Sequence, residues 1–475
     1  MIQNYVILSN GDRVSLVNLF KQTPSSVYAS ETHDNVCNYL SNEIMKNKEE
    51  SDIKLFTNLL LLKSKKARQL SALVYLINKK VINVNYISCS YVDSSFFDFF
   101  LNNKGIIKIK KHNFMETLID KKYIFVIFPV KMILHLFYKA LSKKIKYKKN
   151  IIKTYVEDTI NFYPEELKTS TIMIYPFNLN FKRQQNFIKY CKKNYPGSYT
   201  RMGLPYRPIK YLYSLLTNFD LDEKIVFFEK DAYTRHAKEL LNLSIDKLFT
   251  LDEFEAASFV MHENLLQNKV YVMNKTHGVG GYCLFLAYSD LEVYTSKQMQ
   301  RYKKWNPKIN ISFQDLGINK LEGNTKTDKS IQIVFIHGNM SACGLEYEES
   351  LQEDIILQTK KICDDLKISF FIKYHPNTTE LYKEKYLNQK IETLKSIDNL
   401  DNPLFITIFS TSFYDFLKFG PFIFVSDELL NPCDIFGDDI EYINIDMICK
   451  TINFYKDFNN FTALHNKQIE QLKER

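Results

Sequence analysis

The sequence has no cysteine pattern that would hold a metal or a disulfide framework. Its eight cysteines are widely scattered, and no two of them form a CxxC pair. This spacing argues against a zinc knuckle and a disulfide-stapled fold, and it favours a reducing compartment. The sequence also has no internal repeat and no low-complexity tract. Its length of 475 residues predicts two or three globular domains.

A secretory signal and an uninterrupted apolar span are also missing from the sequence. The first residues lack the basic and apolar regions of a signal peptide, so we expect a cytoplasmic protein. The longest apolar stretch, residues 123–141, is interrupted by a proline, a histidine and two lysines, which predicts no spanning helix. We interpret residues 123–130 as a buried strand and expect a helix to begin near Met132.

The positive charge is too moderate for a dedicated nucleic-acid binder. The sequence has 63 Lys and Arg residues against 54 Asp and Glu residues, which leaves a net charge of +9. Such an excess favours an anionic ligand, such as a nucleotide, an anionic glycan or an acidic membrane surface. Because a dense Lys/Arg stripe is lacking, we expect no nucleic-acid partner.

One basic cluster follows the long apolar stretch. Its members are Lys143, Lys144, Lys146, Lys148 and Lys149. A solvated helix end explains most runs of this kind. The alternative is peripheral contact with the anionic inner face of the inner membrane, where each such cation contributes on the order of 1 kcal/mol.

The first part of the chain alternates apolar strand-like runs with helical segments, which predicts a parallel sheet. Helices are predicted at residues 34–45 and 67–77. The predicted strands are residues 5–8, 26–29, 84–88, 106–110, 123–128, 151–156, 171–175, 225–228 and 270–273. The glycine-rich turn that includes Gly278 and Gly280 lacks the strand-to-helix setting of a dinucleotide fingerprint, and we interpret it as a loop.

The C-terminal part repeats the alternation more clearly. Its predicted strands are residues 331–336, 369–373, 405–409 and 421–425, and its predicted helices are residues 351–367, 379–397 and 413–419. The fold class is therefore α/β, with two Rossmann-like, doubly wound domains that face each other across a cleft. We expect an acceptor domain over 1–322 with an insertion around 215–317, a donor domain over 323–455, and a C-terminal helix over 456–475. The polar run 320–330 is the predicted joint.

Polar side chains follow two of these C-terminal strands. His375 and Pro376 come directly after one strand, and Ser410, Thr411 and Ser412 come directly after another. Open α/β sheets bind phosphates in the crevice at the carboxyl ends of their strands. An imidazole, hydroxyls and free helix N–H groups can all donate to phosphate oxygens, so a nucleotide-activated donor is the predicted ligand.

A candidate base lies in the first domain. Glu157 and Asp158 follow the predicted strand 151–156. Two adjacent acids in a partly desolvated cleft cannot both ionise cheaply, so one can serve as a general base. The chemistry that fits is sugar transfer: the carboxylate removes a proton from an acceptor hydroxyl, while His375 stabilises the departing phosphate. We expect no metal, because the cleft segments show no convincing DxD motif.

Further donor-binding candidates follow other strands. His337, Gly338 and Asn339 come after the strand that opens the donor domain, although a plain tight turn is the alternative. Asp427 and Glu428 follow the last predicted strand, where they would bind a ribose or merely cap a helix.

The combination of motifs resembles that of the bacterial CMP-sialic acid transferases with two Rossmann-like domains, including capsule polysialyltransferases. The motifs that carry the resemblance are, in chain order, Glu157-Asp158, His375-Pro376 and Ser410-Thr411-Ser412. They are similar to the D/E-D/E-G, HP and Ser/Thr motifs of that family. Thr159 stands where the first motif has its glycine, and a threonine there changes the turn because it does not readily adopt positive φ.

This resemblance implies a GT-B fold and an inverting, metal-independent transfer of sialic acid from CMP-sialic acid. The acceptor would be a hydroxyl of a bacterial surface glycan, in a capsule or a lipooligosaccharide. A carboxylate would act as base, His375 would bind the CMP phosphate, and hydroxyls of Ser410–Ser412 would bind the same phosphate.

Other functions share these features. A CMP-Kdo transferase or a CDP-polyol phosphotransferase of the teichoic-acid type also resembles an HP pair followed by Ser/Thr. A non-catalytic glycan- or nucleotide-binding protein could retain the fold. His375 could instead cap a strand, the hydroxyls could cap the following helix, and the Glu157-Asp158 pair could be a solvated loop.

Overall fold

A computed structural model describes most of the chain. The described residues are 4–101, 108–110, 117–142, 145–155, 158–176, 181–217, 220–280, 282–315, 330–338, 340, 345–375, 378, 383, 386, 391–437 and 440–474. The strands are β1 Tyr5–Leu8, β2 Arg13–Ser15, β3 Val84–Ser88, β4 Lys108–Lys110, β5 Asn150–Thr154, β6 Ser170–Ile174, β7 Tyr199–Arg201, β8 Lys247–Thr250, β9 Tyr271–Lys275, β10 Asp290–Val293, β11 Asn310–Phe313, β12 Gln332–His337, β13 Phe370–Tyr374, β14 Glu392–Thr393, β15 Pro403–Thr407, β16 Phe422–Ser426 and β17 Tyr442–Asn444.

Helices connect the strands. They are α1 Leu16–Lys21, α2 Glu31–Ile44, α3 Glu50–Lys63, α4 Lys65–Asn78, α5 Ser94–Leu101, α6 Phe128–Ala140, α7 Asp158–Asn161, α8 Phe181–Asn194, α9 Pro208–Thr217, α10 Leu221–Asn242, α11 Ser258–Gln267, α12 Ser296–Trp305, α13 Glu346–Leu366, α14 Ser412–Phe416, α15 Cys433–Phe436, α16 Ile448–Tyr455 and α17 Phe458–Lys473. Short 3₁₀-helices lie at Ser25–Ala29, Glu166–Lys168 and Ile445–Met447, and a π-helical turn lies at Tyr123–Ile127.

A small sheet forms the N-terminal module, which the structure describes over residues 4–101 and 108–110. Its strands lie in the order β2-β1-β3-β4, and β1 runs antiparallel to both of its neighbours. Helices α2, α3 and α4 pack with this sheet in one apolar core, which continues without a break into the following domain. The module is therefore an extension of the first domain.

The first domain is built on a seven-stranded parallel sheet in the order β11-β10-β9-β8-β5-β6-β7. The chain enters this sheet at the inner strand β5 and proceeds through β6 to the edge strand β7. It then returns to the other side of β5 to form β8. This is the doubly wound arrangement, and its switch point lies between β5 and β8. Four of the seven strands, β8 to β11, come from the segment in which we expected an insertion.

The second domain repeats this architecture. Its parallel sheet has the order β14-β13-β12-β15-β16-β17, so its switch point lies between β12 and β15. The last helix, α17, covers this sheet: the Gln468 amide accepts from the Phe422 N–H at 2.9 Å and donates to the Phe422 carbonyl at 2.7 Å. Two doubly wound parallel sheets confirm the predicted fold class.

Most predicted strands are confirmed, with ends that shift by one or two residues. They are β1, β3, β5, β6, β9, β12, β13, β15 and β16. The predicted strand 106–110 contains β4. The predicted helices 34–45, 67–77, 351–367 and 413–419 are confirmed as α2, α4, α13 and α14. The predicted helix 379–397 is wrong over its described end, residues 391–397, because β14 lies there.

Three predicted strands are wrong. Residues 26–29 form a 3₁₀-helix, residues 225–228 lie within α10, and residues 123–130 are helical. Helices and strands both bury short apolar runs, so an apolar run alone does not decide between them. In α10 the start is fixed by a cap, because the Asp220 carboxylate accepts from the Glu223 N–H at 3.0 Å.

Pro129 explains the π-helical turn before α6. Proline has no N–H and its ring crowds the carbonyl four residues earlier, here that of Phe125. A widened turn accommodates the proline without breaking the helix, and such turns recur as single insertions in α-helices. Residues 123–140 thus form one continuous helical segment.

Candidate functional site

The carboxyl ends of the two large sheets face each other. Gly278, in the loop after β9, lies against the second domain: a Cβ added there would be 3.5 Å from Cγ2 of Thr411. Val279 belongs to the apolar cluster that contains Val334 and Phe413 of the second domain. The ring of Tyr294, which follows β10, stacks on that of Tyr414 with centroids 5.0 Å apart. These edges are where the predicted cleft would open.

A second set of contacts joins the N-terminal module to its neighbours. Arg301 of α12 donates to both carboxylate oxygens of Asp34, at 2.8 and 2.7 Å. The Ser25 N–H donates to the carboxyl of Glu348 in α13, a side chain that is fully buried. The exposed Lys21 pairs with Glu346 at 2.9 Å. The module therefore contacts both halves of the protein.

His337 and His375 lie side by side at the carboxyl edge of the second sheet. The N–H of His375 donates to the carbonyl of His337 at 3.1 Å. His337 is buried, and burial together with the nearby His375 lowers its pKa to about 4. The more exposed His375 also has a lowered pKa, because of partial burial and the charge of Arg183 in α8. Both imidazoles are therefore neutral at pH 7, and Arg183 approaches from the first domain.

Gly338 continues the chain beyond β12. Its N–H donates to Oε1 of Gln352 at 2.7 Å, and its carbonyl accepts from Nε2 of the same side chain at 3.3 Å. A Cβ at this position would lie 2.2 Å from Cε of Met340. The glycine thus permits a close turn next to the switch point, whereas Asn339 lies outside the described residues, as does Pro376.

The hydroxyl cluster lies on the other side of the same switch point. Ser410 Oγ accepts from the Ser412 N–H at 3.1 Å and so satisfies the first N–H of α14, whereas Thr411 occupies the N-cap position and its side chain makes no capping bond. Thr411 is the member that contacts the Gly278 loop. All three residues are half-buried. The hydrogen bond from Ser412 leaves a second lone pair on Ser410 Oγ, so it does not exclude a phosphate contact.

Asp427 has a structural role at the end of β16. One of its oxygens accepts from the N–H groups of Leu429 and Leu430, at 2.9 and 2.7 Å, and the other accepts from the Tyr347 hydroxyl at 2.5 Å. The carboxylate therefore fixes a turn and ties it to α13. Glu428 is exposed beside it.

Two cavities lie near the second sheet. The one of about 330 Å³ is lined by Asp427 and Glu428 together with Tyr75 of α4 and Lys79, which follows that helix. The larger one, about 550 Å³, lies at the amino ends of β12 and β13, opposite the switch point. Ligands of doubly wound sheets bind at the carboxyl ends, so the larger cavity is the poorer match to a donor site.

Of the predicted acidic pair, the structure describes Asp158, which follows β5. Asp158 begins the short helix α7, while Glu157 lies outside the described residues. Asp158 thus comes after a strand, as expected, and the catalytic role of the pair stays a prediction.

Sequence reasoning missed a buried charge cluster at the first switch point. The Nζ atom of Lys153, in β5, lies 2.6 Å from Asp252 Oδ2 and 3.1 Å from Glu255 Oε2. The Tyr155 hydroxyl also donates to Glu255. Burial opposes ionisation of Asp252, but the charges of His262 and Lys153 outweigh it and hold the pKa of this carboxyl well below its usual range.

The cluster extends to the protein surface through Lys131 of α6. Its Nζ lies 3.0 Å from Glu229 and 3.6 Å from Glu255, and about a quarter of the side chain (23%) is exposed. Glu229 also accepts from the hydroxyls of Tyr123 at 2.9 Å and Tyr206 at 2.7 Å. The buried charges are thus paired, and only the Lys131 and Glu255 end reaches solvent.

Glu253 differs from its acidic neighbours. Its carboxyl accepts from the His277 N–H at 2.5 Å and from the Asn274 amide at 3.1 Å. Burial raises its pKa to about 7. Because His277 precedes Gly278, this carboxyl holds the loop that contacts Thr411.

A sequence signal for these acids existed. Asp252 and Glu253 form an acidic pair one residue beyond the end of β8, which is the pattern that drew attention to Glu157 and Asp158. The strand before them was not predicted, so their position at a strand end was missed. Lys153 gave no signal, since a lysine within an apolar strand is usually at an exposed edge.

No family model matches the chain, and no curated protein matches it either. Among solved structures, MurG of Acinetobacter baumannii is similar with 7% identity and a TM-score of 0.42, over 68% of this chain and 94% of that one. The Methanocaldococcus jannaschii UDP-GlcNAc 2-epimerase in complex with UDP-GlcNAc and UDP has 13% identity and a TM-score of 0.39, over 69% and 99%. The S. aureus MnaA–UDP co-structure has 9% identity and a TM-score of 0.40, over 67% and 90%.

Proposed function

We propose that the protein is an inverting glycosyltransferase that moves sialic acid from CMP-sialic acid to a hydroxyl of a bacterial surface glycan. The observation that carries the proposal is that the carboxyl ends of two doubly wound sheets face each other. His375 and the hydroxyl cluster come from the second sheet, and Arg183 and the Gly278 loop come from the first. Each switch point is the place where a doubly wound sheet binds its ligand.

The donor would bind at the second switch point. A neutral His375 imidazole has one N–H to donate to a phosphate oxygen, and Thr411 and Ser412 have hydroxyls at the same edge of the sheet, beyond β15. Arg183 adds a positive charge that a leaving CMP would meet. These groups together offset the charge that develops on the phosphate, so we propose that no metal is needed.

The acceptor would bind at the first switch point. We propose that Glu157 or Asp158 removes the proton from the acceptor hydroxyl, since both follow β5. Asp252 and Glu255 are poor candidates for this role, because neighbouring groups hold both pKa values well below the usual range: His262 and Lys153 act on Asp252, and Lys153 and Lys131 act on Glu255. Their paired charges would instead fix the edge against which the acceptor rests.

Release of CMP tests the donor. The full-length protein is incubated separately with CMP-sialic acid, CMP-Kdo, CDP-glycerol and UDP-GlcNAc, and the released nucleotide is measured. Of the four donors, we expect only CMP-sialic acid to release its nucleotide. The release should become faster when a capsular or lipooligosaccharide acceptor is added. The His375→Ala variant shows whether any release depends on the proposed site.

The other outcomes separate the alternatives. Release from CMP-Kdo or CDP-glycerol would replace sialic acid transfer by the corresponding transfer reaction. Turnover of UDP-GlcNAc would overturn the choice of nucleotide. Binding of one nucleotide without turnover of any donor would identify a non-catalytic binding protein.

A further inference from the structure

Helix α6 presents apolar side chains to solvent. Within the described part of the chain, Tyr123–Ala140 is the one helix that is long and apolar enough to cross a membrane, and a third of it (33%) is buried. Val126, Ile133 and Phe137 are each more than half exposed, at 54%, 62% and 56%. They recur at intervals of seven and four residues, so they lie along one stripe of the helix.

Helix α9 exposes a second apolar stripe. Ile209 and Leu216 are 85% and 86% exposed, and Leu212 and Tyr213 between them are 56% and 67% exposed. These spacings again place the side chains on one face. A helix of a soluble protein normally buries such a face, so its exposure calls for a partner.

The two helices lie side by side. Tyr211, on the inner face of α9, donates to the carbonyl of Ile124 at 2.8 Å, and its ring lies 5.0 Å from that of Phe128. The same ring packs against Phe228 of α10 at 5.1 Å, and the adjacent Phe227 is half exposed. The stripes of α6 and α9 and the Phe227 ring therefore form one exposed apolar surface, which we call the α6–α9 surface.

The two helical segments that form the α6–α9 surface carry charge of one sign. Neither Tyr123–Ala140 nor Pro208–Thr217 contains an Asp or a Glu. Exposed basic residues lie before and within these segments: Lys121, Lys122, Lys139, Arg207 and Lys210. Two of them pair with acids of α10, Lys139 with Glu239 and Arg207 with Asp231 at 3.7 Å, so Lys121, Lys122 and Lys210 give the margin its basic character. Lys210 lies with its Nζ 5.3 Å from the centre of the Phe227 ring. An apolar surface with a basic margin complements an anionic lipid surface.

We propose that the α6–α9 surface docks the protein onto an anionic lipid bilayer, with both helices lying in the plane of the interface. A spanning orientation does not fit α6, because its inner side is bound to the protein. Lys131 pairs with Glu229, and His135 Nδ1 accepts from the Leu204 N–H at 2.9 Å. A helix with one apolar face and one side anchored in the protein enters the interface without crossing it.

Vesicle flotation with the full-length protein tests the docking. We expect the protein to float with vesicles of phosphatidylcholine containing about 30% phosphatidylglycerol, and to bind vesicles of phosphatidylcholine alone at least about tenfold more weakly. The double variant Ile209→Ser, Leu216→Ser should lose at least about tenfold in binding to the anionic vesicles.

A matched double variant serves as the control. Val17 and Phe454 are also apolar and exposed, at 46% and 55%, but lie outside the α6–α9 surface. Val17→Ser, Phe454→Ser should float like the original protein. Thermal unfolding of both variants checks that they remain folded, which we expect because the replaced side chains are largely exposed.

Three outcomes would overturn the docking. The first is that the original protein stays in the unbound fraction. The second is that the double variant Ile209→Ser, Leu216→Ser floats as well as the original protein. The third is a dimer in size-exclusion chromatography that this double variant abolishes while no protein floats, which would identify a second copy of the chain as the partner. None of these outcomes depends on CMP release, so the docking and the proposed reaction can fail separately.

Discussion

The ammonium group of Lys153 lies 2.6 Å from Oδ2 of Asp252, and at most 1% of either side chain is exposed. This ion pair joins β5 to the turn after β8 and so spans the first switch point. Charges buried to this extent persist only when they are paired, because each would otherwise bear a large desolvation penalty.

We predict that Lys153→Met destabilises the protein by about 3–5 kcal/mol, because it leaves Asp252 and Glu255 without their closest cation. Urea unfolding of both proteins measures the difference. Lys149→Met is the control: its pair with Asp246 is largely exposed, at 78% and 55%, and its loss should cost at most about 1 kcal/mol. Equal, small effects of both variants would contradict the assigned role of Lys153.

His375→Ala should lower turnover by about 100-fold while the unfolding midpoint stays the same, because one donor to the leaving phosphate is lost. His375→Asn retains an N–H donor on a shorter side chain and should recover part of that loss. The measurement is the rate of CMP release at saturating donor. Near-original turnover in His375→Ala would remove this imidazole from the reaction.

Glu253→Gln should change how stability depends on pH. Burial raises the pKa of this carboxyl to about 7 from 4.5. Between these two values the folded protein retains a proton that the unfolded chain has released, so stability falls as the pH rises and levels off above pH 7. The fall is on the order of 3 kcal/mol.

The Glu253→Gln variant has no titratable group at position 253, so its stability should fall less than that of the original protein between pH 4.5 and about 7. Urea unfolding at the two ends of this range gives the comparison. Glu50→Gln, at a side chain that is 81% exposed, should leave the pH dependence as it is. Parallel pH profiles for the original protein and Glu253→Gln would show that this carboxyl ionises normally.

Gly203→Ala should destabilise the fold much more than Gly338→Ala. A Cβ at Gly203 would lie 1.7 Å from the backbone oxygen of His135 in α6, whereas the nearest atom at Gly338 is the mobile end of Met340. Overpacking against backbone costs about 1–3 kcal/mol or more, and a methionine side chain can move. Urea unfolding of the two variants tests this, and a mild effect at Gly203 would mean that the chain there can shift from α6.

The sequence predicted the second domain more accurately than the first. Strands β12, β13, β15 and β16 are buried apolar runs rich in Ile, Val and Phe, each bounded by polar residues or by glycine and proline, and such runs have few alternatives. The runs at 123–130 and 225–228 have similar composition but belong to helices. The signal that distinguishes both runs from strands is the helical spacing of their apolar residues. For the run 225–228, the Asp220 cap is a second signal.

The candidate site was predictable where it consists of strand ends. His337, His375 and Ser410 follow single apolar runs, and the structure brings them to one edge as expected. The buried charge cluster was not predictable, because Lys131, Glu229 and Asp252 come from segments that are far apart along the chain. Only the order of strands around the first switch point brings them together.

The contacts of the N-terminal module limit how the protein can move. Ser25 donates to the buried Glu348, and Arg301 holds Asp34 of the same module. A hinge motion that moves one sheet away from the other must first break the hydrogen bond between Ser25 and Glu348. The buried Glu348 carboxyl would then lack this donor. The rate of nucleotide escape would then depend on a serine 350 positions before His375, in a module that contains neither switch point.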